Sequence, residues 1–197
     1  MNPFKSLFGQ SLDPLSQPAE PFSPNSPSYA WTFQSPYQRP RILILVSSAK
    51  ANSFQAFYNV LKQLHSAESL ACFCLESTAI QQWTASRSAA ALVEQIIADI
   101  QPTIALFIAY DQPHSETLPA LFKAQNIATV CHVDESLMAT ATQAQTGLLA
   151  SCDLLYAATA PLGDRLSTQF PDRTVFYPQL SGTTTLETQI KELIAMV

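Results

Sequence analysis

Three apolar runs constrain this chain more than any other feature: Ile42–Val46, Ile104–Tyr110 and Ile127–Val133. Each has the length of a strand, and none alternates apolar with polar residues, as a strand with one wet face would. Such runs belong to strands covered on both faces. Between them lie stretches with helical spacing. Phe54, Phe57, Leu61 and Leu64 form one apolar stripe behind Ser53, a residue able to cap a helix. Leu92, Val93, Ile96, Ile97 and Ile100 form a second behind Ser86 or Ser88, and Gln101-Pro102 stops it, because the residue before proline avoids the α region.

The same reading places strands at Leu70–Leu75, Thr103–Tyr110, Asp153–Ala157 and Thr174–Tyr177. It places helices at Leu118–Gln125, Leu137–Ala150, Pro161–Phe170 and Leu186–Val197. Six strands alternating with helices require crossover connections, which are right-handed. The expected fold is therefore α/β: a doubly wound, mainly parallel, Rossmann-like sheet over residues 41–197. Leu43, Leu45, Ile104, Leu106, Val130 and Leu154 are its expected core.

Residues 1–40 differ in kind. Eight of the fourteen prolines fall there, among Ser, Gln and Asn, so neither helix nor ladder bonding can persist. The expectation is an extended or disordered N-terminal tail without regular structure through residue 35 beyond a turn or two. Its apolar residues include Phe4, Leu7, Phe8, Tyr29, Trp31 and Phe33, more than an inert spacer needs. They are candidates to bind a protein partner or to pack on the domain.

Net charge is −5 with only 13% charged residues, which argues against a nucleic-acid partner. No run approaches the roughly 20 apolar residues of a membrane span, and no secretory signal is evident, so the expected location is the cytoplasm. Cys72, Cys74, Cys131 and Cys152 all fall in or beside apolar segments and read as buried, reduced thiols. Cys72 and Cys74 share one strand face without a second ligand pair for zinc.

In open parallel sheets, ligands bind beyond the carboxyl ends of the strands. The residues expected there are Ser47, Ser48 and Lys50 after the first strand, and Asp111 and His114 after the third. Asp134, Glu135 and nearby His132 belong to the fourth strand end, and Thr159 to the fifth. A His132-x-Asp134-Glu135 metal site has suitable ligand types, but a strand histidine is the more ordinary reading, and no metal is expected. The loop after the first strand lacks glycine, and the chain has only Gly9, Gly147, Gly163 and Gly182. Neither a dinucleotide fingerprint nor a phosphate loop is present, so no cofactor is expected. No G-x-S-x-G elbow is present either, and no catalytic residue can be assigned.

Four segments carry a family likeness: Pro102–Ile108, Asn126–Glu135, Ala150–Leu166 and Arg173–Leu180. In order and spacing they resemble the N-terminal Rossmann-like half of GT-B glycosyltransferases, in particular glycosyltransferase-like proteins of the spore-coat-maturation type. Asn126-Ile-Ala-Thr-Val-Cys-His-Val-Asp134-Glu135 matches the family's strand ending in an acidic pair. Asp153-Leu-Leu-Tyr-Ala-Ala-Thr159 matches its strand running into a helix. The resemblance implies an acceptor-side half, since such enzymes bind the nucleotide sugar mainly in a C-terminal domain, and this chain has one helix beyond Pro178. Two functions follow. The first is a non-catalytic interaction or scaffolding module tethered through the aromatic-rich tail. The alternative is the acceptor-side subunit of a split glycosyltransferase in glycan or surface-polysaccharide assembly, whose partner is a separate donor-binding chain.

Overall fold

Arg41–Val46 forms a strand, β2, at the centre of the sheet. Its apolar run is buried from Ile42 to Val46 because helices cover both sides of it. A computed structural model describes residues 25–33, 40–48, 52–66, 70–110, 114–139, 143–177 and 186–195. Within them the strands are β1 (Trp31–Phe33), β2, β3 (Ala71–Glu76), β4 (Ile104–Ile108), β5 (Ala128–Val133), β6 (Leu154–Ala157) and β7 (Thr174–Phe176). The helices are α1 (Asn52–Ser66), α2 (Ser77–Thr84), α3 (Ala89–Ile100), α4 (Thr117–Ala124), α5 (Glu135–Ala139), α6 (Gln143–Ser151), α7 (Ala160–Gln169) and α8 (Leu186–Ala195).

The strands form one sheet in the order β1-β3-β2-β4-β5-β6-β7. All neighbours from β3 to β7 pair in parallel, and only β1 runs antiparallel, against β3. This is the doubly wound Rossmann-like architecture expected from the strand–helix alternation.

Side chains alternate between two cores with the period of two that a strand imposes. Leu43, Leu45, Phe73, Phe107 and Leu155 face α2, α3, α4, α6 and α7. Ile44, Val46, Cys72, Cys74, Leu106 and Tyr156 face α1 and α8. The helices change face between β2, which leads into α1, and β4, which leads into α4, so the switch point lies between these neighbours. All six expected core residues are buried, and all four cysteines are buried and free. Cys72 and Cys74 share a face as the sequence implies. No helix among the described residues is long and apolar enough to cross a membrane.

At the amino ends of the strands, Asp153 fastens β6 to β5. Its carboxylate accepts the Thr129 N–H at 3.0 Å and the Thr129 hydroxyl at 2.7 Å, and pairs with Lys123 at 2.9 Å. Burial pushes that carboxyl up, but Lys123 and Thr129 outweigh it and hold it below its ordinary value.

Within the helix expected at Leu137–Ala150, the described residues are helical as α5 and α6, and residues 140–142 lie outside the described residues. Two points need correction. The first is α2, which follows β3 directly and has only a short apolar stripe to announce it, with Ser77 and Ile80 buried. The second is the N-terminal segment. Residues 31–33 are extended, as expected, but they form β1, with Trp31 opposite Cys74 and Phe33 opposite Cys72. Regular structure therefore begins before residue 35. A segment too rich in proline to hold a helix can still add one short edge strand, the place where a sheet tolerates such sequence.

Residues 25–33 act as a strap over α2 and α3. Tyr29 is 2% exposed, packs edge-on against Phe73 at 6.4 Å, and belongs to the core beneath these helices. Its hydroxyl donates to Asp99 at 3.2 Å, and Ser26 and Gln95 donate to the same carboxylate at 2.9 and 2.8 Å. Burial, with the Asp99 charge behind it, pushes the Tyr29 phenol well above its ordinary range, so it stays protonated and donating. The Trp83 indole N–H donates to the Asn25 carbonyl at 3.0 Å, and the Ala30 N–H donates to the Cys74 carbonyl at 2.9 Å.

Candidate functional site

The carboxyl ends of β2 and β4 flank the switch point, where ligands bind in sheets of this kind. There the chain bonds to itself. The Ser47 hydroxyl, just past β2, donates to the carbonyl of Ala109, just past β4. The Ser77 hydroxyl, at the first residue of α2, donates to the Ser47 carbonyl at 2.9 Å. Ala109 has a φ of 46°, the left-handed region that costs an L-residue roughly 1 kcal/mol or more. The residue in that conformation is the one whose carbonyl meets Ser47. Three connections, after β2, β3 and β4, are thus joined by two hydroxyls and two carbonyls. Ser48 is half-buried beside them, while Lys50 and Asp111 lie outside the described residues.

The other expected site residues follow along the same end of the sheet. His114 is exposed, with a φ of 70°, and its carbonyl accepts the N–H groups of Thr117 and Leu118 at 3.0 and 2.8 Å, opening α4. Asp134 caps α5: its carboxylate accepts the Leu137 N–H at 2.8 Å. Glu135 pairs with Arg165 of α7 at 3.1 Å in an exposed ion pair, an interaction of small energetic weight. Thr159 is exposed in extended backbone before α7, and its carbonyl accepts the Gly163 N–H at 3.0 Å.

These residues form a row, not a cluster. Ser47 follows β2 and Thr159 follows β6, three strand spacings away, a separation of about 14 Å at the usual interstrand distance. The sequence located the correct end of each strand, but strand order spreads its candidates along the rim.

His132 points away from this row into the core under α1 and α8. Its ring lies 4.6 Å from that of Phe57 and 5.4 Å from that of Tyr156. Burial lowers its pKa to about 4, and the nearby Asp134 charge, pulling upward, recovers only part of the shift. The imidazole is neutral at pH 7 and serves as an aromatic core residue. The described residues hold no group of three His, Cys, Asp or Glu side chains placed to bind a metal.

Of the tail residues offered to bind a partner or to pack on the domain, Tyr29 does the second: Phe73 and Asp99 hold it in the domain's own core. Trp31 and Phe33 lie in β1. Phe4, Leu7 and Phe8 lie outside the described residues.

Sequence reasoning missed Ser77 and Ala109. A serine directly after a strand's last residue was a usable signal for Ser77. Nothing in the sequence marks Ala109, since alanine does not advertise a left-handed backbone as glycine would. No family model matches the chain, and no curated protein matches it in sequence.

Proposed function

We propose that this domain is a non-catalytic interaction module, tethered to a protein partner through the residues that precede Asn25. The observation that carries the reading is the closed switch point, where the Ser47 hydroxyl is bonded across to the Ala109 carbonyl and Ser77 is bonded to Ser47. Catalysis requires donors, acids or bases converging on one reacting atom. Here His132 faces the core, Asp134 caps a helix and Glu135 is paired with Arg165. Phe4, Leu7 and Phe8 are the aromatic and aliphatic anchors such a tether would use.

The test is affinity capture from a native cell extract with two baits, the full chain and a chain lacking residues 1–24. The cut belongs at 24, because removing all forty residues would also take β1, Ser26 and Tyr29 out of the fold. The expected outcome is a specific partner held by the full chain and lost by the truncated one. If the truncated chain keeps a partner, and that partner is a lone donor-binding glycosyltransferase half, the acceptor-side subunit replaces this reading. No partner for either bait, with a monomeric profile, contradicts both.

A further inference from the structure

Helix α2 stands between the strap and the switch point. It has eight residues, too few to hold a helix by its own bonds, so contacts with the rest of the domain fix its position. Its apolar anchorage is small: Ile80 is buried, and Ala79 and Trp83 are partly buried against the same core. Polar bonds tie each end. At the first residue, the Ser77 hydroxyl donates to the Ser47 carbonyl at 2.9 Å. At the other end, the Trp83 indole N–H donates to the Asn25 carbonyl at 3.0 Å. Arg87, stacked 4.6 Å from the indole centroid, donates to the same oxygen at 3.3 Å. The strap also grips the strand that feeds α2. No loop separates Glu76, the last residue of β3, from Ser77, and the Ala30 N–H donates to the Cys74 carbonyl just before them at 2.9 Å. Strap bonds therefore bracket the helix, before its first residue and around its last turn.

We propose that the strap is a latch on the switch point. The strap, α2 and the Ser77–Ser47 bond open and close as one unit, so that release of residues 25–30 lets α2 shift and draws Ser77 away from the Ser47 carbonyl. The connection after β2 then loses one of the two bonds that close the crevice. A helix with one fully buried apolar side chain of its own belongs to the low-stability end of a domain, where such units open first. The latch is a property of the chain's own fold and does not depend on whether a partner takes the residues before Asn25. Coupling of this kind is reciprocal: what loosens the strap loosens Ser77, and what loosens Ser77 loosens the strap. Positions 77 and 83 are about 9 Å apart along the helix axis, far enough for unlinked sites to behave independently.

Amide exchange measured by NMR on the full chain tests the latch from both ends. Trp83→Phe keeps a ring but loses the N–H donor. Exchange should quicken about fivefold, the worth of one hydrogen bond, at Ala30 and at the amides of residues 81–85, with shifted resonances at residues 46–48. In Ser77→Ala the same amides, Ala30 included, should quicken by a similar factor. The Gly163 and Phe170 amides of α7, bonded to the Thr159 and Leu166 carbonyls away from the strap, should keep their rates in both variants. Unchanged exchange at residues 81–85 in Trp83→Phe, or at Ala30 in Ser77→Ala, would overturn the proposal. So would equal quickening at Gly163 and Phe170, which would mean that the whole domain loosens and no latch exists.

Discussion

The strap and the switch point are joined by the same helix, α2, and are closed with different materials. At the first residue of α2, a buried Ser77 and a half-buried Ser47 make two hydroxyl–carbonyl bonds. Toward its last turn, Trp83 holds a strap that carries a buried tyrosine and a three-residue strand and bonds to Asp99 of α3, a carboxylate accepting three donors. Each such bond replaces bonds to water in the unfolded chain, so its net worth is only about 0.5–1.5 kcal/mol. Removing an aromatic ring from a packed core forfeits transfer energy and leaves a cavity. The comparison therefore assigns the strap to the stability of the domain and the switch-point closure to its shape.

The largest expected effect is that of Tyr29→Ala, about 3–5 kcal/mol of stability in urea denaturation, the usual loss for a buried aromatic. Tyr29→Phe, which keeps the ring, should lose only about 1 kcal/mol. An equally small loss for Tyr29→Ala would show the strap to be a passenger. Next comes His132, at the rim end of β5. Its folded pKa of about 4 lies below the ordinary 6.5, so the unfolded chain binds the extra proton. Its contribution is complete above about pH 6.5 and is lost as pH falls toward 4, to a total of about 3 kcal/mol. His132→Phe should flatten the pH dependence of the calorimetric midpoint across that window; an unchanged slope would place the imidazole in water.

Asp99→Ala removes the acceptor of Ser26, Tyr29 and Gln95 and should cost about 1–3 kcal/mol, with faster amide exchange over residues 30–33 as its specific sign. Slow exchange there in the variant would move the anchor elsewhere, to the Trp83–Asn25 contact. The smallest effect is expected of Ser47→Ala, about 1 kcal/mol. A loss comparable to that of Tyr29→Ala would erase the distinction between the two closures.

Much of the fold was legible because the strands are apolar on both faces. Ile42–Val46 could be nothing but a central strand, and Ser88 caps α3 as its position implies, accepting the Ala91 N–H at 3.2 Å. What sequence could not supply was neighbourhood. The register that sets Trp31 opposite Cys74, and the fold that brings Asp99 to Tyr29, join residues about seventy apart in the chain for the latter pair. Proline spacing pointed away from helix, as the described residues 25–33 show, but carried no information about an edge strand. At the rim, the described candidates sit at the strand ends expected of them, yet the polarity of Ser47 and Asp134 reads the same whether the groups face a ligand or bond to their own backbone.

The central claim is that the switch point is occupied by the chain's own bonds. Titration of the full chain with nucleoside diphosphate sugars, followed by NMR at the amides of residues 46–48 and 108–110, tests it most directly. The expected result is no saturable shift at millimolar ligand. Saturable micromolar binding with shifts confined to those amides would contradict it, and would show that the Ser47–Ala109 bond opens to admit a ligand.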